Sequence, residues 1–214
     1  MVNSLEGKLA IVTGGAGGMG RSHALRLAKL GANVAILDID LNVAARYGET
    51  LSAATVRDEI LELGRDCIAI EADLSDRAAA FDAVKKIEQH FGRIDILVNN
   101  AGGAITPIEK SSASSSSEED RRKLFSVNFE TAVNMCQACA PALRKQGGAI
   151  VNTSTVGVSA DDAGARFAMY SASKAAIEKY TRSLAVELGP DGVRVNCVAP
   201  GLVATPRVAS QAAA

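Results

Sequence analysis

Six short apolar runs rich in β-branched residues recur at residues 9–13, 33–38, 67–71, 94–99, 149–154 and 193–198, with helical patterns between them. Segments such as Ala10-Ile11-Val12 and Ile96-Leu97-Val98 are apolar without interruption, whereas a strand with one wet face would alternate polar and apolar residues. Strands of this kind are covered on both sides. The pattern predicts an α/β fold in which a doubly wound parallel sheet carries helices on both faces, built as a single domain over residues 1–214. Ligands of such sheets bind beyond the carboxyl ends of the strands, so the informative residues are expected just after each run.

Bulk properties narrow the function classes. A chain of 214 residues with 48% apolar content can bury one full core. A net charge of -1 provides no drive toward phosphate backbones or anionic lipid, so neither a nucleic acid nor a membrane is an expected partner. A small molecule fits better. Only residues 1–7 precede the first run, and no stretch reaches the ~20 apolar residues that a bilayer requires, which predicts a cytoplasmic protein. Cys67, Cys136, Cys139 and Cys197 lie in apolar segments, and Cys136-x-x-Cys139 falls inside a helical pattern at residues 125–143. They read as reduced packing residues, with no metal site expected. The serine-rich residues 111–117 predict a mobile surface loop, closed by a capping signal in Ser116-Ser117-Glu118-Glu119. His23 and His90 are isolated and read as surface or packing residues. The Ala-rich tail after Pro206 shows no strand pattern.

The first run leads into Thr13-Gly14-Gly15-Ala16-Gly17-Gly18-Met19-Gly20, and a helical pattern follows at residues 21–30. Glycines between a first strand and a first helix let the backbone approach a pyrophosphate, and the helix start offers unpaired N–H groups. The second run ends Ile36-Leu37-Asp38-Ile39-Asp40, about 20 residues past the glycines. A carboxylate there accepts hydrogen bonds from the ribose hydroxyls of NAD and repels the 2′-phosphate of NADP. Asp38 is the expected ribose ligand, with Asp40 able to share or replace it. Farther on, Tyr170 and Lys174 stand four residues apart, which on a helix puts a phenol and an ammonium on one face. A cation beside a phenol favours the phenolate and makes proton exchange with a substrate oxygen feasible. The bland alternative is an exposed helical pair.

With these segments read, the chain resembles the short-chain dehydrogenase/reductase family from Gly7 to about Pro206, and more narrowly its compact NAD-dependent branch. Gly14, Gly18 and Gly20, with Met19 between the last two, are similar to its cofactor loop. Asp73-Leu74 looks like its adenine-contacting pair, and Asn99-Asn100-Ala101-Gly102 like the signature after its fourth strand. Asn128, the Tyr170/Lys174 pair and Pro200-Gly201 with Val203 and Thr205 follow in order. The resemblance implies a Rossmann sheet and NAD-dependent interconversion of a secondary alcohol and a ketone. Tyr170 would be the general acid or base, with Lys174 lowering its pKa and binding the nicotinamide ribose. Asn128 would hold a water of a proton relay, or else be a buried amide bonded to backbone. Val203 and Thr205 would lie against the carboxamide. A hydroxyl just after the fifth strand completes the set: residue type points to Ser154 and register to Thr155, and Ser154 is the residue chosen. The family also implies a homo-oligomer, a tetramer or dimer.

Two departures stand out. Extra residues at 42–51 and the stretch Arg21-Ser22-His23-Ala24 are similar to the carveol-dehydrogenase-like group. The chain stops at Ala214, so the seventh strand and substrate-covering helix usual in this branch are expected to be missing. A non-catalytic NAD-binding or scaffold role is the main alternative, and a sugar-nucleotide epimerase is a third reading.

Overall fold

The computed structural model describes residues 4–107, 110–159 and 167–212. The predicted runs become β1 (Leu9–Thr13), β2 (Asn33–Asp38), β3 (Cys67–Glu71), β4 (Ile96–Asn99), β5 (Gly148–Thr153) and β6 (Val193–Val198). Four match the expected bounds. The fourth starts two residues later, after Asp95, whose carboxylate is held by the Leu9 N–H at 2.9 Å and by Arg93. The strands form one sheet in the order β3-β2-β1-β4-β5-β6, and every pairing is parallel. The order reverses direction between β1 and β4, which opens the crevice where such sheets bind ligands.

Eight α-helices are described: α1 (Gly18–Lys29), α2 (Val43–Arg46), α3 (Val56–Glu62), α4 (Arg77–Phe91), α5 (Glu118–Phe125), α6 (Thr131–Gln146), α7 (Ala168–Leu188) and α8 (Pro206–Ala212). Alternate residues of the strands face opposite cores. Leu9, Ile11, Leu97 and Ile150 pack with Val84 and Ile87 of α4, Met135 and Leu143 of α6, and Leu184 and Leu188 of α7. Val12, Val34, Ile36 and Val98 pack with Ala24 and Ala28 of α1 and with Val56 and Ile60 of α3. Both faces are dry, which accounts for uninterrupted apolar runs in the central strands. Edge strand β6 alternates instead, with Val193 and Val195 buried and Arg194 and Asn196 exposed.

Local chemistry sets several boundaries. Asp76 caps α4 by accepting the Ala78 N–H at 2.7 Å, and Ser117 caps α5 through the Asp120 N–H at 3.0 Å. Two departures from expectation matter, and one unassigned segment is resolved. The helix expected across residues 125–143 is interrupted by a π-helical turn at Ser126–Glu130. Ser111 is buried rather than part of a free loop: its hydroxyl bonds Thr106 and the Pro107 carbonyl, and its carbonyl accepts the Ala168 N–H at 3.2 Å. The tail after Pro206, which shows no strand pattern and carries no assignment from the sequence, forms α8, with Thr205 Oγ1 accepting the Val208 N–H at its start. Cys67, Cys136 and Cys139 are buried and unbridged. Burial pushes the Cys67 and Cys136 thiols up to about 12 and raises Cys139 well above the usual thiol range, so they pack as neutral groups. No helix among the described residues is long and apolar enough to cross a membrane.

Candidate active site

The carboxyl ends of β1, β2, β4, β5 and β6 lie along one edge, because Thr13 pairs with Leu37 and Asn99, Asn99 with Asn152, and Thr153 with Val198. This register gathers residues separated by up to 185 positions. At the β1 end, Gly18 has φ +55 and begins α1, while Gly20 sits so close to β1 that a Cβ would stand 1.8 Å from the Gly14 carbonyl oxygen. Only a glycine lets helix and loop approach this far. The segment after β4 is stitched to that loop: Asn100 and Ala101 donate their N–H groups to Thr13 Oγ1 at 3.0 Å each. Asn100 Nδ2 donates to the Thr13 and Gly14 carbonyls at 3.1 Å each.

Asp38 closes the other side of the loop. Its Oδ2 accepts the Ala16 N–H at 3.0 Å and its Oδ1 the Asp40 N–H at 3.3 Å. Burial raises its pKa, and those backbone donors oppose the rise. Asp40 pairs with Arg46 at 2.7 Å instead of facing the loop alone. Asp73 bonds Ser75 N and Oγ at 2.9 and 2.7 Å, and the Leu74 side chain is buried in the core, so Leu74 can offer a nucleotide only its backbone. The Pro200 carbonyl accepts the Val156 N–H at 3.1 Å, while Gly201 and Val203 are exposed. The Thr205 methyl stands 3.5 Å from where a Gly18 side chain would begin, which brings the residues after β6 against the glycine loop. Asp38, a loop that tolerates close approach and the helix start together fit a dinucleotide.

Tyr170 lies in the first turn of α7 and Lys174 one turn on. Lys174 is 97% hidden, and its ammonium donates to the Thr153 carbonyl at 2.9 Å and stands 5.9 Å from the Tyr170 ring centre. Burial drives its pKa down to about 8. Burial also raises the Tyr170 phenol, against a hydrogen bond shared with the Thr155 hydroxyl and the charge of Arg207. The depression of the phenol expected from Lys174 is not what opposes desolvation here; Thr155 and Arg207 supply the opposing pull.

Ser154, the residue chosen from the sequence, has its hydroxyl engaged by a neighbouring helix. Ser154 N–H continues the ladder to the Val198 carbonyl at 2.7 Å, and its buried hydroxyl donates to Glu178 Oε1 at 2.7 Å. The next residue, Thr155, leaves the strand and meets the phenol. Asn128 is fully buried in the π turn. Its Oδ1 accepts the Gly103 N–H at 2.9 Å, and its Nδ2 donates to the Gly103 and Leu124 carbonyls at 3.1 and 3.0 Å. Both amide hydrogens are thus spent on backbone, leaving one Oδ1 lone pair for a water. A Cβ on Gly102 would lie 2.5 Å from Asn128 Oδ1 and 3.4 Å from Lys174 Nζ, so these two side chains converge under that glycine.

Sequence reasoning missed Arg207 and Glu178. Arg207 of α8 packs its guanidinium against Gly103 and reaches Tyr170 electrostatically. Neither carries a local pattern that marks it, since each meets its partner only through the fold. The sequence also offers residues 104–110 and 156–166 as the loops that would select substrate; of these, residues 108, 109 and 160–166 lie outside the described set.

A two-face parallel sheet, a glycine loop at its reversal point and a phenol–ammonium pair at the same edge define a nucleotide-dependent α/β oxidoreductase. The chain belongs to the short-chain dehydrogenase family, whose model matches residues 8–214. It is 42% identical to a cyclohexanol dehydrogenase of Rhodococcus sp. (strain TK6) over 210 residues, covering 96% of this chain and 77% of that one. Carveol dehydrogenase from Mycobacterium avium in complex with NAD superposes with a TM-score of 0.80 at 30% identity, covering 92% of this chain and 71% of that one. A 7α-hydroxysteroid dehydrogenase complexed with NADH and 7-oxo glycochenodeoxycholic acid gives 0.83 at 31% identity, covering 97% and 76%.

Proposed function

We propose that the chain is an NAD-dependent alcohol dehydrogenase that interconverts a secondary alcohol and a ketone. The observation that carries this reading is the Tyr170 phenol ring 5.9 Å from buried Lys174 Nζ, at the strand edge that carries the glycine loop, with the Thr155 hydroxyl beside the phenol. The names of the relatives support it, as does the NAD or NADH held by the two structural neighbours. Asp38 supports NAD over NADP, because its buried carboxylate lies where a 2′-phosphate would be repelled. Bound NAD would supply the hydride acceptor.

The chain's own residues supply the proton and the geometry. With its pKa raised, the Tyr170 phenol is protonated at neutral pH and is poised to donate to a ketone oxygen. Oxidation requires the same group as phenolate. Thr155, whose hydroxyl both donates and accepts, orients the substrate oxygen against the phenol. Lys174, anchored on Thr153, places a cation beneath both. Asn128 holds Gly103 and thereby the segment roofing Lys174, and its free Oδ1 lone pair is the point where a relay water would attach. Tyr170→Phe should cut turnover of secondary alcohols by ~10²–10⁴-fold while NADH binding persists. Full turnover by that variant would refute the assignment.

A further inference from the structure

The segment between β2 and α3 lays a carboxylate on the glycine loop. Glu49 Oε2 accepts the Gly18 N–H at 2.8 Å, at the first residue of α1, and Glu49 Oε1 accepts from Arg21 Nη1 at 2.9 Å. Glycine at position 17 lets the segment close down: a Cβ there would stand 3.0 Å from Val43 Cγ1 and 3.3 Å from Glu49 Oε2. Arg21 does not need Glu49 to be neutralised. Glu59, almost wholly buried, already takes its Nε and Nη2 at 2.7 and 2.6 Å, and is itself fixed by Ser52 N–H and Oγ at 2.7 Å each. A second carboxylate is therefore spent on the Gly18 N–H and on the positive end of α1.

That N–H and that dipole end are what a nucleotide phosphate would use. A carboxylate oxygen 2.8 Å from the amide occupies the place of a phosphate oxygen and carries the same sign of charge. One N–H cannot serve both, and two anions packed at a helix start repel. We propose that Glu49 is an internal competitor for the phosphate position of the glycine loop. Nucleotide binding displaces its carboxylate from Gly18, with Arg21 retaining it on the other oxygen, and this exchange sets the affinity for phosphate-bearing ligands. The inference rests on the dinucleotide reading of the site.

The test is calorimetric titration of nucleotide-free wild type, Glu49→Gln and Glu49→Ala with NAD, ADP and adenosine. The Gln side chain keeps a neutral contact to Arg21, so it guards against a mere collapse of the segment. Both variants should bind NAD and ADP ~10-fold more tightly, in line with the worth of a hydrogen bond to a charged group, and adenosine should bind as in wild type. NAD and ADP affinities that stay level or fall in both variants would overturn the proposal. An equal gain for adenosine would overturn it too, since the segment would then be acting as a plain lid. A wild type that binds none of the three would instead sink the dinucleotide reading, and the inference with it.

Discussion

Replacing Gly20 by Ala tests the steric core of the nucleotide site. The added Cβ would stand 1.8 Å from the Gly14 carbonyl oxygen, 2.6 Å from its carbon and 2.7 Å from Asn100 Nδ2. The first contact is about 1.6 Å short of ordinary van der Waals separation. No side-chain rotation relieves it, because the obstacle is main chain: Gly14 N–H is bonded to the Leu37 carbonyl at 2.7 Å and its carbonyl is bonded by Asn100. Helix α1 must retreat from β1 or the loop must break those bonds. Overpacking costs ~1–3 kcal/mol where neighbours yield, and a backbone obstacle places this site at the upper end, about 3 kcal/mol. For a domain of this size that corresponds to a Tm lower by about 6–12 °C. The displaced helix start should also weaken NAD binding by at least ~10-fold. Gly189→Ala is the control: its φ of -56 suits any residue and nothing lies within 4 Å, so stability should hold or rise by up to ~1 kcal/mol. Thermal unfolding and NAD titration of both variants give the answer. Wild-type Tm and affinity in Gly20→Ala would show that the close approach of α1 to β1 is not what the site depends on.

Two further outcomes follow from the catalytic edge. Thr155→Ala should lower turnover by ~10²-fold with NAD affinity unchanged, whereas Ser154→Ala should stay within a few-fold and lose about 1 kcal/mol of stability by leaving Glu178 one donor short; the reverse ranking in steady-state kinetics would return Ser154 to the role. Lys174→Met should abolish turnover yet stabilise the fold near neutral pH, by up to about 3 kcal/mol on a lysine pKa driven down to about 8. The folded lysine has the lower pKa, so between about 8 and the ordinary lysine range the unfolded chain holds more protons, and wild-type stability rises with pH there. The advantage of the Met variant should shrink across that window in urea titrations; a variant less stable than wild type at neutral pH, with a pH-independent gap, would show that the bond to Thr153 outweighs the buried charge.

The strands and the site's general location were legible in the chain because their causes are local. A strand covered on both faces must be apolar throughout, and helix starts need cap residues or glycines, so residues 9–13, 33–38, 67–71 and 193–198 could be bounded directly. Motif spacing placed Tyr170 and Lys174 on one helical face and the glycine loop between β1 and α1. Local pattern also misled. The low-complexity serines include Ser111, which is buried because neighbouring carbonyls reach its hydroxyl. The π turn at Asn128 was invisible for a similar reason. It is sustained by side-chain bonds to carbonyls, Asn128 to Leu124 and Thr131 Oγ1 to Ser126, that periodicity does not encode.

By itself, then, the sequence determined the parallel α/β sheet, its nucleotide-binding edge and the phenol–ammonium pair, all of which follow from spacing within a strand or a helical turn. Where the two candidate hydroxyls lie was decided by the tertiary structure: β5 pairs in register with β6, Ser154 is drawn toward Glu178 on α7, and the chain turns only after Thr155. The same holds for Glu49 on Gly18, for Arg21 between Glu49 and Glu59, and for Arg207 over Gly103. These contacts join residues 28 to 104 positions apart, and a contact between distant positions exists only once packing has fixed where each element lies.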